Sequence, residues 1–235
     1  MANAFGATQE RPAFVSDVER ARIGAFMRGV YWWMCGGLGI TAAVAVAVAS
    51  SPAAVNVLIG TPILFWGLII LELVLVFVLS ARVAKLTPST AGSLFLAYSA
   101  MNGVTFSLIL LAFTGASVAS AFLVTAGMFA SLAIYGQVTK RDLSGMGRFM
   151  FMGLVGLVLA SVVGIFWHND ALQFVIGVVG VLVFAGLTAY DTQRLQAMAL
   201  QGQQTGSYAI VGALSLYLNF VNIFLSLLRL FGRKN

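Results

Sequence analysis

Residues 208–230 of the chain read YAIVGALSLYLNFVNIFLSLLRL. The stretch is long enough to cross a bilayer as an α-helix, which takes about 20 mostly apolar residues. It also carries Ser215, Asn219, Asn222 and Ser226, separated by four, three and four residues. That spacing places all four side chains on one stripe of a helix. Because hydrocarbon cannot solvate such a stripe, the segment predicts a membrane helix whose polar face meets partners or water inside a bundle.

The composition of the whole chain agrees with this prediction. The chain has 235 residues, of which 60% are hydrophobic and 9% are charged. Soluble domains carry about 45–50% apolar and about 25% charged residues. The mean hydropathy is +0.99, and a soluble domain of this size could not bury so much apolar surface. The composition therefore predicts an integral membrane protein that is surrounded by the lipid bilayer.

Six further runs have the length and apolarity of membrane helices. We therefore expect an all-α bundle of seven transmembrane helices over residues 27–235, and a charged N-terminal tail over residues 1–26. The end of the tail, Val15 to Met27, predicts an amphipathic helix on the membrane surface. The predicted spans are Met27–Ala49, Pro62–Ser80, Ala91–Phe113, Ala116–Val138, Gly147–Trp167, Ala171–Tyr190 and Tyr208–Leu230.

Basic residues are distributed unequally between the two sets of connections. The tail and every second loop contain Lys or Arg, whereas residues 50–61, 113–117 and 168–170 contain none. The positive-inside rule then predicts a cytoplasmic N-terminus. Seven spans would put the C-terminus outside, although Arg229, Arg233 and Lys234 lie there. Two explanations would resolve this conflict. Either contacts with neighbouring helices fix the orientation of the last helix despite these charges, or one span is re-entrant.

Two carboxylates occur in or at the predicted spans, Glu72 and Asp191. Acids at bilayer depth are costly and usually face a partner or a water-filled cavity. Asp191, at the predicted end of the sixth span, either pairs with Arg194 one turn later or faces the bundle as a gate or ion site. In the third span, Asn102 belongs to a weaker polar stripe. Both stripes are consistent with hydrogen bonds between helices or with a polar conduit along the bundle axis.

The chain lacks residues that several classes of protein require. The single cysteine and single histidine exclude CxxC and paired-histidine metal sites. The last predicted span has no lysine for a retinal Schiff base and no acid for an intramembrane aspartyl protease. The net charge of +6 indicates the orientation of the chain in the membrane and not a nucleic-acid binding surface. We therefore expect no enzyme, no cofactor and no nucleic-acid partner.

Four segments carry a resemblance to a known family. They are TPST at residues 87–90, TKRDLSGMG at 139–147, GLTAYDTQR at 186–194 and LYLNFVNIF at 216–224. With them, the chain from Arg28 to Arg233 resembles the bacterial branch of the Bax inhibitor family, the transmembrane Bax inhibitor motif proteins. The resemblance implies a multipass protein of the bacterial inner membrane, with seven helices and the last one central. It also implies a pH-sensitive leak for calcium or other cations, and a role in stress protection.

The resemblance assigns roles to particular residues. In the family, an acid in the sixth span pairs with one in the seventh, and the two share a proton that controls the pore. The matching residues here are Asp191, which would also be the calcium ligand, and Asn219. Asn219 cannot ionise but can donate a hydrogen bond to Asp191, so the resemblance implies a weakened pH sensor. Arg82 is the expected basic latch. The two polar stripes and the acid of the second span, and not the resemblance, supply the expected lining of the conduit: Glu72, Asn102, Ser215, Asn222 and Ser226.

Two other functions remain open at this stage. The chain could regulate a membrane protease or another membrane complex without conducting ions, in which case the N-terminal tail would be the natural contact. It could also be a proton-coupled transporter that uses Glu72 and Asp191.

Overall fold

The structure, a computed structural model, describes residues 17–167, 169–203 and 206–235. Helices dominate, and the one β-type contact in the described residues is an isolated bridge between Phe113 and Lys234. Seven of the helices are long and apolar enough to cross a membrane, as predicted. The helices are α1 (Asp17–Ala49), α2 (Pro52–Gly60), α3 (Pro62–Ala81), α4 (Pro88–Ala112), α5 (Gly115–Val138), α6 (Ser144–Phe166), α7 (Asp170–Leu200) and α8 (Gly206–Phe231).

Local sequence signals explain where several helices begin. The side chain of Thr87 accepts a hydrogen bond from the backbone N–H of Thr90 at 3.2 Å, and Pro88 occupies the first turn of α4. The side chain of Asn169 accepts from the backbone N–H of Ala171 at 2.9 Å at the start of α7. Such caps satisfy N–H groups that have no partner within the helix.

The structure corrects three of the predicted boundaries. α1 starts at Asp17 and runs unbroken into the first span, rather than beginning with a separate surface helix. α7 continues past Tyr190 to Leu200, so Asp191 lies within a helix and not at its end. Residues 52–60, expected to be a loop, form the short helix α2. Hydropathy marks where a helix leaves hydrocarbon, whereas polar helix formers such as Gln and Arg let the helix itself continue.

The last helix lies at the centre of the bundle. Of the most apolar 18-residue stretch in α8, 72% is buried, against 6–39% in the other six long helices. α8 packs on α1, α4, α5 and α7. This confirms the position expected from its polar stripe.

Tyr217 of α8 ties together the helices on one side of the core. Its ring is fully buried and contacts the rings of Phe95 and Tyr98 edge-on. Its hydroxyl lies 2.7 Å from the hydroxyl of Thr41, which donates to the carbonyl oxygen of Ser99 at 2.9 Å. One side chain therefore connects α8 with α1 and α4 through both apolar and polar contacts.

On the other side of the core, small residues allow two close helix approaches. At Gly136 of α5, an added Cβ would overlap the backbone carbonyl of Ala189 in α7. At Gly180 of α7, an added Cβ would overlap the hydroxyl of Ser226 in α8. Small residues at such crossings let the backbones come together. α7 is thereby held between α5 and α8.

The C-terminus packs against the connection between α4 and α5. The backbone N–H of Thr114 donates to the carbonyl oxygen of Arg233 at 3.0 Å, and that of Asn235 to Ala112 at 3.1 Å. On the other face, Ser207 donates to the carbonyl oxygen of Leu86 at 2.7 Å, which joins the start of α8 to the α3–α4 connection. The face of the bundle that carries the α3–α4 connection and the start of α8 is called the basic face below. The start and the end of α8 thus contact connections at opposite ends of α4. The described helices therefore favour seven full passes over a re-entrant span.

Candidate functional site

Asp191 and Asn219 meet between α7 and α8. The amide nitrogen of Asn219 donates to Asp191 Oδ2 at 2.8 Å, which is the hydrogen bond expected from the sequence. Asn219 is 4% exposed, and Asp191 is partly buried. Both side chains are held by the two helices that pack closely at Gly180 and Ser226. The pair thus sits in a rigid part of the bundle.

The pair borders a cavity of about 950 Å³ between α6, α7 and α8, which we call the Asp191 cavity. Ser215 and Asn222 of α8 also line it. Three of the four residues of the α8 stripe therefore face one space, together with the acid of α7. The remaining one, Ser226, lines neither this cavity nor the Glu72 cavity described below, and packs against Gly180 instead.

The basic residues at the Asp191 cavity are Arg148 of α6 and Arg194 of α7. Sequence reasoning had selected Arg82 as the latch, but Arg82 is exposed at the end of α3 and is not part of the cavity wall. Within the described residues, Asp191 bonds to Asn219, and no ion pair joins it to Arg194. Arg148 was missed because it is 43 positions from Asp191 in sequence, and only the packing of α6 on α7 brings the two to one cavity.

A second cavity, of about 400 Å³, lies between α3, α4 and α8; we call it the Glu72 cavity. The Thr105 hydroxyl donates to Glu72 Oε1 at 3.2 Å across α3 and α4. Asn102 is buried, and its amide nitrogen donates to the Tyr98 hydroxyl at 3.2 Å. Asn102 Oδ1 has no hydrogen-bond partner among the described residues. An unpaired buried acceptor is costly, so this cavity offers an oxygen that a water or cation would satisfy.

Leu218 and Asn222 of α8 line both cavities. The amide nitrogen of Asn222 donates to the carbonyl oxygen of Leu218 at 2.7 Å, which leaves the amide oxygen as the group with spare accepting capacity. The two cavities therefore share one turn of the central helix as a wall. Sequence periodicity identified Asn222, but it gave no reason to select the apolar Leu218.

The carboxylates do not form a multidentate metal centre. The described part of the chain has no group of three or more His, Cys, Asp or Glu side chains that could hold a metal ion. Asp191 and Glu72 line separate cavities. Hydroxyl and amide groups accompany both acids, and Arg148 and Arg194 also line the Asp191 cavity. Such surroundings suit weak contact with a hydrated cation better than tight chelation, which for calcium takes six to eight oxygens.

Comparison with known proteins gives a consistent result. Residues 23–235 match the family model described as "Inhibitor of apoptosis-promoting Bax1". The inner membrane protein YbhL of Escherichia coli is 47% identical over 220 residues, covering 92% of this chain and 94% of that protein. An uncharacterized protein of Deinococcus radiodurans is 43% identical, with 89% and 90% covered. An uncharacterized membrane protein of Streptococcus pyogenes is 43% identical, with 77% and 80% covered. With its seven apolar helices and a family match over nearly its whole length, this chain belongs to the Bax inhibitor-1 family.

Proposed function

We propose that this protein is a cation leak of the bacterial inner membrane, with calcium as the principal ion. The observation that carries the proposal is the meeting of the Asp191 and Glu72 cavities at Leu218 and Asn222. A pathway through both cavities would enter beside one carboxylate, pass one turn of α8 and leave beside the other. The inner-membrane location is supported by the name of the Escherichia coli relative.

The chemistry of the lining supports a leak rather than a storage site. Each cavity has one carboxylate, and the other oxygens near it belong to hydroxyl and amide groups. Conduction requires binding that is strong enough for entry and weak enough for release. A single acid with neutral oxygens meets that requirement, and Arg148 and Arg194 would further weaken cation binding at the Asp191 cavity. A cage of several carboxylates would instead retain calcium.

Leu218 and Asn222 would form the barrier between the two spaces. Leu218 presents an apolar side chain. The amide nitrogen of Asn222 is already bonded to the carbonyl oxygen of Leu218 in its own helix, so only its amide oxygen can contact an ion. In this conformation the route is interrupted at the turn that the two cavities share. Replacing Asn222 with leucine would remove the polar oxygen at that turn and make the barrier wholly apolar.

The pH response of the leak would depend on Asn219. Because Asn219 is an amide, Asp191 has no second carboxylate with which to share a proton. In Asn219→Asp, the two acids would lie at the present separation of 2.8 Å. Two carboxylates so close titrate as a coupled pair. We therefore expect a leak with weak pH dependence in the natural protein and stronger pH dependence in Asn219→Asp.

The test is calcium flux into liposomes that contain the purified protein, measured at pH 6 and pH 8. We expect flux above the lipid control for the natural protein and a change in flux for Asp191→Asn. Asn222→Leu should reduce the flux. Ser131→Leu is the matched control, because Ser131 lies on the exposed side of α5. Absence of flux above the lipid control at every pH from 5 to 8 would contradict the proposal.

The two other functions predict different results. A non-conducting regulator of a membrane protease would depend on the N-terminal tail, of which residues 1–16 lie outside the described residues. Deleting the tail should abolish regulation but leave a leak intact. A proton-coupled transporter would instead give proton flux that depends on substrate.

A further inference from the structure

The Asp191 cavity has two chemically different ends. Arg148 and Arg194 lie where α6 begins and α7 approaches its end, on the basic face. A neighbouring pocket of about 360 Å³, lined by Lys140 and Arg141, shares Arg194 with the cavity. All four basic side chains are exposed. One end of the cleft therefore concentrates positive charge beside solvent.

Apart from Ser161, the rest of the α6 wall is apolar, and much of it is exposed. Phe151 and Val158 line the cavity and are 61% and 54% exposed. The lining continues along α6 from Arg148 to Val162. At 1.5 Å per residue this wall is about 21 Å long, which exceeds the half-thickness of a bilayer core, about 15 Å. With Arg148 at the headgroup level, the cleft would extend past the middle of the membrane.

The charge at the basic end of the cleft favours an anion at that end. The two lining groups contribute four basic side chains and two acids, Asp142 and Asp191. Such a surplus attracts anions, and guanidinium groups bind phosphate with charge-assisted hydrogen bonds. Basic pockets between membrane helices are typical sites for anionic lipid headgroups. A free phosphate ion would use the arginines but would leave the apolar wall of α6 uncovered.

We infer that this cleft binds one anionic phospholipid, with its phosphate between Arg148 and Arg194 and an acyl chain along Phe151 and Val158. The charge and shape of the cleft favour this ligand whether or not the protein conducts ions. A bound lipid would cover the apolar wall and neutralise the surplus charge above Asp191. In this proposal α6 supplies the lipid-binding surface, which is separate from the Asp191–Asn219 pair.

The test is native mass spectrometry of the full chain released from a neutral detergent, with added dioleoyl phosphatidylglycerol. We expect one phosphatidylglycerol to remain bound and dioleoyl phosphatidylcholine, which has the same chains, to be lost. A basic residue near an anionic lipid contributes about a fivefold gain in affinity. Arg148→Ala and Arg194→Ala should each weaken retention about fivefold, and the double variant should weaken it about 25-fold.

Two further variants separate specific binding from general attraction. Lys85→Ala is the charge control, because Lys85 is an exposed basic residue at the α3–α4 connection and is absent from the cleft wall. It should retain the lipid as the natural protein does. Val158→Trp should fill the apolar part of the cleft and reduce retention without any change of charge. Equal loss in Lys85→Ala, unchanged retention in the double variant, or displacement of the lipid by glycerol 3-phosphate would each overturn the inference.

Discussion

The crossing of α5 and α7 at Gly136 should control the stability of the bundle, and Gly136→Ala tests this. The new Cβ would lie 3.1 Å from the carbonyl carbon and Cα of Ala189, and would overlap the carbonyl oxygen between α7 and α5. Backbone atoms cannot rotate away, so the two helices must separate. Overpacking of this kind costs about 1–3 kcal/mol, and alanine returns about 0.5–1 kcal/mol of helix preference. We expect a net loss of about 1–2 kcal/mol in the free energy of unfolding.

The measurement is unfolding of the purified protein in mixed micelles with increasing dodecyl sulfate, followed by circular dichroism. Gly127→Ala is the matched control, because Gly127 lies on the same helix and an added Cβ would meet nothing within 4 Å. That variant should be as stable as the natural protein or slightly more stable. Equal stability of Gly136→Ala and Gly127→Ala would refute the close-packing argument. Because Ala189 directly precedes the Tyr190–Asp191 turn of α7, separation of the helices should also alter calcium flux.

Three smaller perturbations test other contacts. Asn169→Ala removes the cap of α7 and should cost about 1 kcal/mol in the same unfolding assay. Tyr217→Phe removes the hydroxyl bound to Thr41 and should cost about 0.6 kcal/mol, the average for hydrogen bonds between membrane helices. Hydrogen bonds from the side chain and backbone of Ser144 lower the pKa of Asp142 in the α5–α6 loop. Its ionised form is thus favoured by folding, so Asp142→Asn should be less stable than the natural protein at pH 7, and the difference should disappear as pH falls through that lowered pKa.

The local properties of the chain fixed much of the architecture in advance. Apolar length gives the seven spans, and the spacing of Ser215, Asn219 and Asn222 turns the polar face of the last helix into the bundle, because each depends only on residues close in sequence. The family resemblance adds the central position of that helix. The family motifs gave the Asp191–Asn219 partnership, and the structure places the two side chains in a hydrogen bond. These features do not require knowledge of how the helices are rotated against each other.

Other features depend on which helices are neighbours and on how each is turned about its axis. Ser226 continues the polar stripe in sequence, yet it packs against Gly180 because the small glycine lets α7 and α8 approach each other there. Arg148 and Arg194, rather than Arg82, line the Asp191 cavity because α6 packs on α7. The sequence by itself determined the membrane fold, the central helix and the Asp191–Asn219 pair. Only the tertiary structure decided that the Asp191 and Glu72 cavities share a wall at Leu218 and Asn222, because this wall depends on the packing of α3, α4, α6 and α7 around α8.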